Sequence, residues 1–318
     1  VAEALAAVPL DRYPDREALA LRRALAERLD VAPAQIVVGN GTAELLWLTV
    51  LAYLRPGERV LIVAPAFGEY ARSAALMGAT VRYWTARAED GFAVSPDGVA
   101  QALARHAPRM VFLCTPNNPT GVVTPLAVLD GWARACPETL FVVDEAYLAF
   151  VTAGDAVDEG MDDSALSLEA DNVLVMRSMT KDYALAGLRL GYAVGAPAVV
   201  DALTRVRPPW NVNALAQAAG LAALADAAHL QASLTRLRAS KRALVAGLQG
   251  LGLQPLPSAV HFFLVPVGDG AALRRRLMRC GVLVRDCASF GLPAYVRIAP
   301  RRPEENARLL AAIRETAP

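Results

Sequence analysis

Through its first 200 residues the chain alternates short apolar runs of strand type with helical stretches, about six times over. That alternation narrows the fold more than any other feature. The strand candidates are 36–38, 59–63, 80–83, 110–114, 140–143, 173–176 and 190–194, and runs such as Leu140-Phe141-Val142-Val143 are apolar on both faces. A strand buried on both faces, followed by a helix and another strand, belongs in a largely parallel sheet covered by helices on both sides. Helices are predicted over 16–29, with Asp15 as cap, after the glycine turn at 39–44, then to about Met77, and over 99–106 and 126–135. The acidic stretch from Asp155 to Asp163 is expected to be an exposed loop.

After residue 200 the pattern changes. Residues 214–250 are alanine- and leucine-rich helix, with Arg236, Arg238, Lys241 and Arg242 expected on a wet face. Strands at 260–267, 282–285 and 295–298, a basic helix at 271–279 and a last helix from about Pro303 describe a smaller α+β unit. The expected organisation is an N-terminal arm over 1–12, truncated or disordered at its start, a large domain over 13–215 and a small one over 216–318.

Polar residues gather where the strands of the large unit end. Gly41, Thr42 and Ala43 follow the first strand and open a helix, an arrangement that aims backbone N–H groups at an anion. Phe67 follows the second strand, Asn118 the strand ending at Cys114, and Asp144 and Tyr147 the next. Ser178, Thr180 and Lys181 follow 173–176, and Arg189 precedes the last strand. In open α/β sheets ligands bind at the carboxyl ends of the strands, so groups spread over some 150 residues of sequence are expected on one edge.

Lys181 gives that edge its chemistry. Of 32 basic side chains, 30 are arginine and two are lysine, Lys181 and Lys241. A lysine kept in such a chain can do what arginine cannot, namely lose its proton and form a Schiff base. A carbonyl cofactor with a phosphate tail would suit this lysine, and pyridoxal phosphate meets a partner at every point. Lys181 would form the imine and Asp144 would hold the pyridine nitrogen protonated. Asn118 and Tyr147 would donate to the ring hydroxyl, and Phe67 would stack on the ring. Gly41, Thr42, Ala43, Ser178, Thr180 and Arg189 would cup the phosphate.

Asn118-Pro119-Thr120-Gly121, Asp144-x-x-Tyr147 and Ser178-x-x-Lys181 with Arg189 make the chain resemble the fold type I, class I/II pyridoxal-phosphate enzymes, the aspartate aminotransferase superfamily. The resemblance covers nearly the whole chain. It implies a mostly parallel seven-stranded sheet, a smaller α+β C-terminal domain and a homodimer with shared active sites. In that dimer Tyr13 would reach the other subunit's cofactor phosphate. It also implies that Arg297 holds a substrate acid group, with Arg285 a second anion-binding candidate for a phosphorylated amino acid. Within the superfamily the long runs around 38–44, 67–70, 114–121, 209–215 and 284–288 look most like threonine-phosphate decarboxylase of cobalamin biosynthesis, next like histidinol-phosphate aminotransferase. Decarboxylation is thus the first expectation and transamination the alternative. A ligand-sensing domain of a transcription regulator is a remote expectation, since it would predict an attached DNA-binding domain for which the chain has no room.

Composition excludes several partners. A formal net charge of +1 argues against a nucleic-acid surface. The four cysteines form no C-x-x-C pair and the three histidines lie far apart, so no metal is expected. The longest apolar run, Leu45 to Leu54, is too short to span a bilayer. Free cysteines suit a reducing cytoplasm and no signal peptide is visible, so a cytoplasmic protein is expected.

Overall fold

A computed structural model describes residues 1–151 and 164–315, so the expected loop at 155–163 lies outside the described residues. The strands are β1 (Ile36–Gly39), β2 (Arg59–Ala64), β3 (Thr80–Thr85), β4 (Met110–Cys114), β5 (Leu140–Asp144), β6 (Val173–Ser178), β7 (Gly191–Gly195), β8 (Phe263–Pro266), β9 (Arg285–Asp286) and β10 (Tyr295–Ile298). The helices are α1 (Ala2–Ala6), α2 (Leu19–Leu29), α3 (Thr42–Tyr53), α4 (Gly68–Leu76), α5 (Pro96–His106), α6 (Leu126–Ala135), α7 (Pro197–Val206), α8 (Ala214–Leu224), α9 (Ala227–Gln249), α10 (Gly270–Arg279) and α11 (Pro303–Glu315).

β1 to β7 form one sheet in the order β1-β7-β6-β5-β4-β2-β3. Strand alternation sends successive side chains to opposite faces. Met110, Phe112 and Cys114 of β4 pack with α3, α4 and α7, while Val111 and Leu113 pack with α5 and α6. At the β1–β7 end, Ile36, Val38 and Val194 are covered by α2 and α8. The seven strands and two helical layers agree with the expected fold. β7 is the exception to the parallel rule, antiparallel to both β1 and β6. Its start therefore lies on the edge where the other strands finish, which brings Arg189 there although it precedes a strand.

A second sheet, β8-β10-β9, is antiparallel throughout and packs on α9, α10 and α11 through Leu244, Leu248, Leu273, Leu277 and Leu309. Several boundaries differ from the sequence reading, each for a local reason. Helix α2 begins at Leu19 because Asp15 accepts from the Glu17 and Leu19 amides, at 2.9 and 2.7 Å, and closes a turn before it. The long helix at 214–250 divides where Asp226 accepts from the His229 amide at 3.1 Å and caps α9. The strand expected at 282–285 shrinks to Arg285–Asp286. The Val282 amide is spent on the Leu277 carbonyl at the end of α10, where Gly281 turns the chain with φ 68°. The strand expected at 260–267 begins only at Phe263, because 258–262 is a turn.

Candidate active site

β5 ends in two neighbouring acids that point opposite ways. Glu145 is fully covered and braced by Arg177 at 3.1 Å, Ser164 at 2.8 Å and the Ala165 amide at 2.7 Å, a structural role. Asp144 faces the strand-end edge. Its carboxylate accepts from the Tyr70 hydroxyl at 2.6 Å and the Ala146 amide at 3.0 Å. Burial raises its pKa, while Tyr70, Ala146 and the Lys181 charge pull it back. A buried carboxylate without a cationic hydrogen-bond partner among the described residues suits a protonated ring nitrogen, which would supply a counter-charge.

Lys181 stands in the turn after β6, with Nζ 5.9 Å from the Tyr147 ring centre. Its pKa is lowered, first by partial burial and then by the charges of Arg189 and Arg297, with Asp144 opposing. A lysine eased toward its neutral form is the one that becomes a nucleophile. Burial pushes the Tyr147 phenol up to about 12, with Arg297 pulling it down, so at neutral pH it is a hydrogen-bond donor. Phe67, just before α4, is 37% exposed and meets Tyr70 edge-to-face with ring centres 5.8 Å apart.

The anion cup forms where three strands meet. Gly39 of β1, Gly191 of β7 and Ser178 of β6 share one row of the sheet. Gly41 has φ 79° and lies so near Arg189 that a Cβ there would stand 2.8 Å from Nη2. A Cβ on Gly191 would meet the Thr42 amide at the same distance. The two glycines thus let Arg189, itself in the left-handed region at φ 59°, close on the first turn of α3. Ser178 and Thr180 are buried and hydrogen-bonded to each other at 2.6 Å. Guanidinium, hydroxyls and helix N-terminus converge as a phosphate requires, so the residues present fit pyridoxal phosphate.

The two arginines expected to bind the substrate come from the second sheet. Arg297 on β10 donates to the Asn118 side-chain oxygen. Its guanidinium carbon lies 4.9 Å from the Phe262 ring centre and 6.0 Å from that of Phe290. Arg285 is exposed, bonds Ser289 at 2.7 Å and lies 5.6 Å from the same Phe290 centre. Tyr13 stands apart from these groups. It is 81% exposed and stacked on Trp210 at 4.8 Å.

Sequence reasoning missed Tyr70, Phe262 and Phe290. Tyr70 carried a signal, since three residues after Phe67 is the same face of α4. Lys241 corrects the expectation of a solvated charge. Arg236 and Arg242 are exposed, but Lys241 is half-buried and donates to the Ser258 and Val260 carbonyls at 2.6 and 2.5 Å. Cys114 and Cys287 are buried and all four cysteines are free. Among the described residues no cluster could hold a metal, and no helix is long and apolar enough to cross a membrane.

The family model for aminotransferase class I and II matches residues 1–313. The chain belongs to the class I and II aminotransferases, pyridoxal-phosphate enzymes. Histidinol-phosphate aminotransferase 1 of Cupriavidus pinatubonensis is 38% identical over 317 residues, 98% of this chain and 82% of that protein. The crystal structure of histidinol-phosphate aminotransferase from Sinorhizobium meliloti in complex with pyridoxal 5'-phosphate superposes with a TM-score of 0.87 at 27% identity, covering 99% of this chain and 87% of that one. L-threonine-O-3-phosphate decarboxylase from Porphyromonas gingivalis gives a TM-score of 0.82, also at 27% identity, covering 99% and 94%.

Proposed function

We propose that the protein transfers an amino group between histidinol phosphate, or a closely similar phosphorylated amine, and 2-oxoglutarate. The relative at 38% identity over nearly the whole chain carries this reading, and it reverses the order expected from sequence, where decarboxylation of threonine phosphate came first. Chemistry supports the reversal. Histidinol phosphate has no carboxylate to lose, so its phosphate must take the place that the acid group of 2-oxoglutarate takes in the other half of the reaction. Arg297 and Arg285, flanking one aromatic ring, provide for either anion.

Pyridoxal phosphate supplies an electron sink for the pair left when a bond at the substrate Cα breaks. In this reading Lys181 anchors the cofactor and moves the proton at Cα. Asp144 holds the ring nitrogen protonated, with Tyr70 holding Asp144. Asn118 and Tyr147 donate to the ring oxygen, and Phe67 covers the ring. Gly41, Thr42, Ala43, Ser178, Thr180 and Arg189 take the phosphate. The active unit is a homodimer in which Tyr13 reaches across to the other subunit's cofactor phosphate.

The similarity to the decarboxylase structure supports the second reading, in which the arginines take the phosphate of threonine phosphate and leave its carboxylate free to depart. The test is to incubate the purified holoenzyme with histidinol phosphate and with L-threonine phosphate, each with and without 2-oxoglutarate. Glutamate formed only when histidinol phosphate and 2-oxoglutarate are both present supports transamination. Carbon dioxide released from threonine phosphate without a keto acid overturns it.

A further inference from the structure

We propose that Lys241 is a positioning residue of this active site: from behind the 258–262 turn it fixes the backbone that seats Phe262 against both Tyr147 and Arg297. The proposal rests on the reading of Arg297 as the arginine that binds the substrate anion.

Lys241 is the second of only two lysines in a chain of 30 arginines, and the cofactor leaves it without a task. Its ammonium, on α9, donates to two carbonyls of one turn, Ser258 at 2.6 Å and Val260 at 2.5 Å. Carbonyls two residues apart in a tight turn converge nearly on a point. A compact ammonium with rotatable donors can meet both, whereas the planar fork of a guanidinium is matched to the parallel oxygens of a carboxylate. The cavity beside Lys241, Arg238, Val260 and His261 has room for about one water.

The turn that Lys241 holds is tied at its other points to the site. The Ser258 hydroxyl donates to the Phe262 carbonyl at 2.5 Å and closes the turn on itself. The Ala259 amide donates to the Gly121 carbonyl at 2.9 Å, docking the turn on the loop that carries Asn118. Only glycine fits there, since a Cβ on Gly121 would stand 2.0 Å from the Ser258 hydroxyl. From the front of the turn Phe262 meets the Tyr147 ring at 4.8 Å and 84°, and the Arg297 guanidinium at 4.9 Å. Lys241 thus reaches the anion-binding arginine through one aromatic ring, without touching the cofactor pocket itself. Removing its donors would leave the Ser258 carbonyl without that partner, the Val260 carbonyl with only the Ser258 hydroxyl at 3.4 Å, and Phe262 free to shift under Arg297.

The test compares K241M, S258A and R297K holoenzymes with wild type. KM and kcat are measured for whichever of histidinol phosphate and threonine phosphate the wild type consumes, along with the visible cofactor band and the Kd for pyridoxal phosphate. K241M is expected to raise KM about tenfold, with the band and cofactor Kd unchanged, and S258A to act in the same direction by less. A folded K241M with KM within twofold of wild type sinks the proposal. So does a cofactor Kd that weakens in step with KM, which would mean general loosening. If K241M does not fold, S258A decides on the same criteria. R297K separates the two readings. An unchanged KM in R297K removes Arg297 as the anion binder, whereas a raised KM in R297K beside a normal one in K241M removes Lys241 alone.

Discussion

The two halves of the site are built in different ways. The half proposed to hold the cofactor is a row of strand ends on the large sheet, where each side chain is placed by the strand that precedes or follows it. Asp144 closes β5, and Ser178 shares a row with Gly191 and Gly39. The half proposed to hold the substrate is assembled across the chain: Arg297 on β10 meets Asn118, and a turn at 258–262 sits between Gly121 and Lys241. Groups held by regular strand ends keep their places under substitution of their neighbours, while groups held by one turn depend on each tie of that turn. Substitutions in the first half are therefore expected to act on the chemical step and cofactor, and those in the second on substrate affinity.

The largest expected effect breaks the cofactor half at its centre. K181A should lose the absorbance above 400 nm and at least about 10³ in kcat, by the scale of a removed general acid–base group. Retention of a borohydride-reducible band in K181A would move the cofactor to another lysine. Next is Tyr70, which the first half also contains and whose hydroxyl donates to Asp144. Y70F leaves a buried carboxylate short of one donor at a cost of about 1–3 kcal/mol. The expected reading is a kcat about tenfold lower with KM for the phosphorylated amine unchanged. A KM effect in place of a kcat effect would erase the distinction between the halves.

The smallest effect is on stability. Burial pushes the Asp182 carboxyl up to about 7, with the Tyr183 amide and nearby arginines opposing. A carboxyl whose folded pKa is raised contributes stability that is complete below its unfolded pKa of about 3.9 and is lost as pH climbs through the folded value. Between pH 4 and 8 wild type should thus lose Tm relative to D182N, which has no carboxyl to ionise. Parallel Tm-against-pH curves from calorimetry would contradict it.

The same contrast explains what could be read in the sequence. β4 and α6 match their predicted bounds because continuous apolar runs and helical periodicity are local signals. Asp144, Lys181 and Arg189 were legible because each lies next to such a run, with φ 59° at Arg189 the one local surprise. Phe262, Phe290 and the burial of Lys241 depend on residues far away in sequence. Phe262 reads as an inner residue of a longer strand until the Ser258 hydroxyl and Lys241 claim the backbone before it. Tyr70 lay between these cases, in a motif already noted for its other residues. The reversal of β7 left no trace in its composition, since Leu190 to Val194 is apolar whichever way it runs.

That reversal also bears on how the site forms. A parallel neighbour would need a crossover to the far edge of the sheet and back, but β6 and β7 run oppositely and their link can stay on one side. Lys181 and Arg189 therefore travel on a single short connection whose closure costs little chain entropy. Their mutual position needs only a local, low-contact-order pairing, whereas Asp144, Phe67 and the Gly41 turn must wait for distant strands to join. Lys181 and Arg189, the groups proposed to form the imine and to bind the phosphate, can thus assemble as one hairpin before the sheet around them is complete.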